Sequence, residues 1–130
     1  MALPKKPPVL APSSATIEKL AARGIGRWCC DLRDQRLEWS DPVYDLFALP
    51  RGSVVDRSDS LRCYADESRA TMKRLRSYVI RHRRGFSIDV ELRPANGASC
   101  WMRLLGAPVC VNGRVTRLGG LKQDLGRRYR

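Results

Sequence analysis

Phe86-Ser87-Ile88-Asp89-Val90-Glu91-Leu92 sets the period for the second half of the chain. Phe86, Ile88, Val90 and Leu92 alternate with Ser87, Asp89, Glu91 and Arg93, the pattern of a strand with one dry and one wet face. Pro94-Ala95-Asn96-Gly97 follows as a hairpin turn. Residues 99–111 read as a long strand, in which Gly106 and Pro108 predict a bend or bulge. Asn112-Gly113 is the strongest short-range hairpin signal. Residues 114–125 form the last strand, with Val115, Leu118 and Leu121 apolar and Gly119-Gly120 letting another backbone come close. Three successive antiparallel strands result.

Upstream, the period is that of a helix. Met72, Leu75 and Val79 recur at three- and four-residue steps across residues 66–82, while Lys73, Arg74, Arg76, Arg81 and Arg83 face elsewhere. Asp66 and Glu67 open this helix, arginines close it, and Gly85 is the expected stop. Ser40-Asp41-Pro42 starts a shorter helix over residues 42–48, gathering Val43, Leu46 and Phe47 with Tyr44 at the edge, and Pro50 ends it. Between the two lies a polar linker, residues 51–60, with a helical turn over residues 60–64. Before them, Trp28, Cys30 and Leu32 alternate with polar neighbours, Asp34-Gln35 turns, and Leu37 and Trp39 share one face of a second strand. A short helix begins at Ser13 or Ser14, carries Ile17, Leu20 and Ala21 as a narrow apolar stripe, and stops at Gly24. The order is helix, two strands, helices, three strands: an α+β domain with one sheet and its helices on one face. The sheet's other face presents Trp101 and Leu105, and the Ile17–Leu20–Ala21 stripe or a second subunit is expected to cover it.

Composition narrows the classes. With 130 residues the chain is one domain long, and 43% hydrophobic residues suffice for its core. No apolar run approaches the ~20 residues of a membrane span, and Lys5 and Lys6 are not followed by the apolar stretch of a secretory signal. A cytoplasmic location is therefore expected. Five cysteines (Cys29, Cys30, Cys63, Cys100, Cys110) form no C-x-x-C pair and, with a single histidine, supply no zinc set, so no metal site is assigned. The net charge of +12 is concentrated in eight Lys and Arg between Arg62 and Arg84 and in the tail Arg127, Arg128 and Arg130. Such a surface suits nucleic acid, an acidic protein or a membrane leaflet, or is a solvated arginine-rich surface. The absence of an aromatic RNA-binding strand and of a one-sided basic face ranks nucleic acid second.

Read in order, several segments resemble a PAS domain of the kind common in bacterial signalling proteins. They are Gly26-Arg27-Trp28-Cys29-Cys30-Asp31-Leu32, Leu37-Glu38-Trp39-Ser40 and Tyr44-Asp45-Leu46-Phe47-Ala48-Leu49-Pro50 in the first half. In the second half they are Glu91-Leu92-Arg93, Asn96-Gly97, Cys100-Trp101-Met102-Arg103, Asn112-Gly113-Arg114 and Gly120-Leu121-Lys122-Gln123-Asp124. The chain departs from the pattern at Ala48, where the family has Gly, at Leu125-Gly126 for Ile-Thr, and in the segment Cys63–Arg69. The resemblance implies a five-stranded antiparallel sheet with helices on one face over residues 24–125. Residues 14–23 would be a flanking helix, 1–13 a disordered arm and 126–130 a basic tail. It further implies a sensory or interaction module without catalysis, acting as a homodimer, regulating a signalling partner in trans, and able to hold a small apolar ligand on the concave face.

On that reading the cavity candidates are Phe47, Met72, Leu75, Val79, Ile88, Val90, Met102 and Leu104. The dimer or flanking-helix candidates are Ile17, Leu20, Ala21, Trp101 and Leu105, and Asp124 marks the exit of the signal. The cofactor is left open, with two exclusions. His82, the one histidine, sits among Arg81, Arg83 and Arg84 at a helix end, a solvated place rather than a haem ligand's. Cys63 has flanks unlike the flavin-adduct motif of light-sensing relatives, so covalent flavin is not expected. Nothing pairs that histidine with a nucleophile, and Gly24-Ile25-Gly26 lacks the strand and third glycine of a phosphate loop.

Overall fold

A computed structural model of the chain describes residues 13–95 and 97–127. The elements run α1 (Ser14–Ala22), β1 (Ile25–Asp31), β2 (Leu37–Trp39), α2 (Asp41–Leu46), α3 (Arg57–Leu61), α4 (Asp66–His82), β3 (Phe86–Leu92), β4 (Cys100–Val111) and β5 (Arg114–Gly126). The five strands form one antiparallel sheet in the order β2-β1-β5-β4-β3, so the first hairpin docks on the last strand. The fold class is the α+β arrangement the alternation predicts.

Strand period dictates the two faces. Trp28 and Cys30 of β1, Leu118 and Lys122 of β5, Met102 and Leu104 of β4, and Val90 and Leu92 of β3 are all buried on the helix-covered face. Arg27, Arg103 and Leu105 point the other way and are exposed. Glycines make the inner face possible at its most crowded point. A methyl group on Gly106 would stand 2.5 Å from Phe86 Cζ and 2.7 Å from Trp28 Cζ2, and one on Gly120 would run into the Leu105 carbonyl. With both positions bare, the Trp28 ring lies over β5 and β4 and its Nε1 donates to the Leu105 carbonyl at 3.0 Å.

Several local expectations are corrected. The helix α4 ends at His82, as the period predicts, but its terminator is Arg83, which takes the left-handed conformation at φ 55°, and not Gly85 two residues on. The helical turn placed at residues 60–64 lies at Arg57–Leu61, because Asp56 and Asp59 form a reciprocal capping box that nucleates it earlier. Val55, read as part of a polar linker, is buried, and its carbonyl accepts from Leu37 N–H. The irregularities of β4 fall at Trp101/Met102 and Val109/Cys110 rather than at Gly106 and Pro108, whose register is continuous. Of the turn at residues 94–97, Asn96 lies outside the described residues, as do residues 1–12 of the expected arm and 128–130 of the tail.

The flanking helix is capped by Ser13, whose Oγ accepts from Thr16 N–H at 3.2 Å. It packs on β1 and beside the start of α2, with Leu20 in a groove shared by Ile25 and Pro42, rather than across Trp101 and Leu105. The cause is the short connection: Gly24 at φ 69° turns the chain straight into β1 at the sheet's end. Ala21 is exposed, and the side chain of Ile17 lies outside what the structure describes. The sheet's outer face therefore keeps Leu105 38%, Val109 48% and Val111 54% exposed, beside half-buried Trp101 and Leu121.

Candidate functional site

The concave face holds a cavity of about 60 Å³. Leu37, Met72, Leu75, Phe86, Leu104 and Leu118 give it apolar walls, while Arg57, Ser60, Tyr64, Arg76 and Lys122 bring polar groups to it. A water needs roughly 10–15 Å³ by this measure, so the space suits a few waters or a molecule of several non-hydrogen atoms. Three of the eight residues expected here, Met72, Leu75 and Leu104, line it. Phe47, Val79, Val90 and Met102 are closed core, and Ile88 is packed against that core, so these five are corrected from lining to packing.

Lys122 is the feature composition does not reveal. It is only 4% exposed. The alternation that buries Leu118 carries Lys122, four residues on, to the same face, and it pairs across to Gly26 and Leu104. Its ammonium sits among four rings, with Nζ 4.5 Å from the Phe47 centroid, 5.3 Å from Trp39, 5.5 Å from Trp28 and 6.0 Å from Tyr64. Trp39 and Phe47 are stacked at 4.5 Å, and Tyr64 meets Phe47 edge-on at 5.8 Å, so the rings of the cage pack on one another. Nζ lies 3.4 Å from Tyr64 Oη. Each ring face is worth about 0.5–2 kcal/mol to a cation, whereas burying an ammonium costs several. Burial wins: the Lys122 pKa falls to about 7, with Cys30 and Cys63 pulling weakly the other way. Burial also pushes the Tyr64 phenol far up, so it stays protonated.

Two arginines share this site. Arg76 was assigned to the solvent side of its helix. Instead it is half-buried, its Nη2 donates to Gln35 Oε1 at 2.9 Å, and its Nε is buried with no partner among the described residues. Arg57, half-buried on α3, has its pKa lowered first by burial and then by the charge of Arg76. Cys30 lies near Arg57, Arg76 and Lys122, yet burial outweighs them and raises its thiol pKa. Cys63 is likewise a buried, raised thiol. The fold fixes these groups from the side: Ala65 N–H donates to the Glu91 carbonyl, Ser68 Oγ accepts from Glu91 N–H at 3.0 Å, and Arg69 Nε donates to the Leu61 carbonyl at 2.9 Å. Thus α3 and the first turn of α4 are pinned to the edge strand β3.

The remaining candidates lie elsewhere. His82 is exposed, its ring 4.5 Å from that of Tyr78. Asp124 is at the far end of β5, where its N–H donates to the Gly24 carbonyl at 3.1 Å and its Oδ1 accepts from Gly126 N–H at 2.7 Å. It therefore joins the last strand to the turn after α1, two residues beyond Lys122. Sequence reasoning missed Lys122, Arg57, Arg76 and Tyr64. The signal for Lys122 was present: Leu118, Gly120, Lys122 and Asp124 are one strand face, and Leu118 is apolar.

No helix among the described residues is long and apolar enough to cross a membrane. No family model matches the sequence, and no curated protein matches it either. Solved structures do. The N-terminal domain of a diguanylate cyclase with PAS/PAC sensor from Marinobacter aquaeolei is similar at a TM-score of 0.70 and 17% identity, over 78% of this chain and 95% of that one. A sensory box histidine kinase/response regulator from Burkholderia thailandensis aligns at 0.70 and 14% identity, over 84% and 82%. The PAS domain of a protein from Colwellia psychrerythraea aligns at 0.64 and 11% identity, over 88% and 100%. The strand order, the helices clasping one face and these likenesses together give the chain a PAS fold.

Proposed function

We propose that this domain is a sensory signalling module: a small molecule occupies the cavity, and the change passes along β5 to the junction of Asp124 with α1. One observation carries the reading. A single strand, β5, contributes Leu118 and Lys122 to the cavity and, two residues later, Asp124 to the hydrogen bond with the Gly24 carbonyl. A shift of β5 at the cavity has a direct mechanical path to the flanking helix. The partner is a signalling protein acted on in trans. The domain works as a homodimer, using the outer sheet face with Trp101 and Leu105 and the flanking helix with Leu20 and Ala21. It carries no catalysis of its own.

The test needs no ligand. Leu75→Phe fills part of the cavity and mimics occupancy. Hydrogen exchange at the amides of Gly24 and Asp124 is then compared with that of the wild type. The proposal expects their protection to change at least fivefold while exchange in the β3–β4 pairing stays the same. Unchanged protection at both junction amides in a folded Leu75→Phe protein overturns it.

A further inference from the structure

We propose that the ligand of this cavity is a small aliphatic carboxylate, its oxygens received by Arg57, Arg76 and Lys122 and its tail by Leu37, Met72 and Leu75. The inference rests on the cavity reading above and names the chemical class that the cavity takes. Three cationic side chains reach one space of about 60 Å³. None of the described residues lining that space is acidic, and none of the three has a carboxylate partner among the described residues. Elsewhere in the molecule arginines find acids readily, as Arg33 does with Asp31 at 2.9 Å and Arg103 with Asp89 at 2.9 Å. The three at the cavity are a cluster without an acid among the described residues, with Lys122 buried and Arg57 and Arg76 half-buried.

Their geometry leaves donors vacant where they are most costly to leave so. A guanidinium has five N–H groups. Arg76 spends one on Gln35, and its buried Nε has no partner among the described residues. Lys122 has one oxygen near it, Tyr64 Oη at 3.4 Å, against three donors on its ammonium. A carboxylate is planar and accepts from an arginine fork in two parallel hydrogen bonds. It would also supply the negative charge that Arg57, Arg76 and Lys122 lack. The size of the cavity and its leucine and methionine walls select a short chain, of about two to five carbons by the volume a water takes. Because Lys122 in the free protein is half-neutral near pH 7, an anion beside it draws a proton onto the amine. Binding therefore takes up a proton above that pH and weakens as pH rises.

Isothermal titration calorimetry of the whole protein with propionate tests this, using propionamide, 1-propanol and inorganic phosphate as comparators, at pH 6.5 and 8.5. The expected result is propionate binding at least tenfold tighter than the isosteric propionamide. It should weaken at least tenfold between pH 6.5 and 8.5, with proton uptake seen as a dependence on buffer ionisation heat at the higher pH. Charge-assisted hydrogen bonds contribute about 1.5–3 kcal/mol, so Lys122→Met and Arg76→Gln should each lower propionate affinity by roughly 10- to 100-fold. Lys122→Met removes a buried charge and keeps the volume, so it should fold; Arg76→Gln, near the surface end of the cluster, is the second variant. Binding of propionamide or 1-propanol within twofold of propionate overturns the carboxylate while leaving the cavity as a ligand site. Tighter binding of phosphate than of propionate overturns the class. Wild-type affinity in both variants overturns the assigned residues. Binding of no probe overturns the carboxylate and speaks against the cavity reading as well.

Discussion

Lys122 makes a distinctive prediction about stability and pH. In the unfolded chain its amine has the ordinary lysine value of 10.5, and in the folded protein burial lowers this to about 7. Between those values the unfolded state binds more protons than the native state, so unfolding free energy rises with pH. At about 1.36 kcal/mol per unit, and with the native amine half-protonated at pH 7, Lys122 raises the unfolding free energy by roughly 1 kcal/mol between pH 7 and pH 8. As pH approaches 9 the trend reverses. The thiols of Cys29, Cys30, Cys63 and Cys100 have pKa values raised above 9.0 by burial, so the native state holds protons that the unfolded chain gives up. The raised Tyr64 phenol adds to that reversal beyond pH 10. Urea unfolding at intervals from pH 6.5 to 10 should therefore show a maximum between about pH 8 and 9. In a thermal scan the rise corresponds to about 4 °C between pH 7 and 8. Lys122→Met is the control: it should lose the rise and gain roughly 1–4 kcal/mol at pH 7, as replacing a buried charge by a packed apolar group does. A flat or falling wild-type curve between pH 7 and 8, or the same rise retained in Lys122→Met, refutes the reasoning.

Three further outcomes follow from other parts of the molecule. Ala48 takes the left-handed conformation at φ 53°, so Ala48→Gly should raise stability by about 1 kcal/mol in urea titration; a loss would show that the alanine methyl packs better than its backbone conformation costs. Gly120→Ala drives a methyl into the Leu105 carbonyl and should destabilise by about 1–3 kcal/mol, whereas Gly113→Ala, with open space around it and strain only from its φ of 75°, should cost about 1 kcal/mol. Leu105→Glu, on the exposed outer sheet face, should shift sedimentation of the proposed dimer toward the monomer without changing the circular dichroism; an unchanged dimer moves the interface elsewhere.

The fold was legible because its strongest signals are local. Phe86, Ile88, Val90 and Leu92 alternate without a break, and the Asn112-Gly113 turn does take positive φ at both residues, 51° and 75°. Ser13 caps α1 where the sequence placed a cap. What failed depended on tertiary context. Arg83 and not Gly85 is the terminator, while Gly85 lies where a side chain would sit 3.2 Å from the Gly106 carbonyl. The position of α1 was misjudged because an amphipathic stripe states that a helix has a covered side, not which neighbour covers it. The site was hardest. Apolar residues on the right helix and strands were expected to line a cavity, and for Met72, Leu75 and Leu104 they do. Charge stands for exposure where Arg57 is read as linker and Arg76 as helix surface, and Lys122 enters only within a family-like segment; the rule is sound for most arginines and lysines. It fails here because strand period places Lys122 beside Leu118 and the four rings around it compensate part of the burial.

The claim on which the rest depends is that a cation lacking any carboxylate partner among the described residues is buried beneath the sheet at the cavity. The direct measurement is an NMR titration of the Lys122 side-chain nitrogen in ligand-free protein labelled with ¹⁵N-lysine, assigned by comparison with Lys122→Met. A midpoint near 7 agrees with the account. A midpoint at the ordinary lysine value of 10.5 would place the amine in water or beside an acid, and would contradict it.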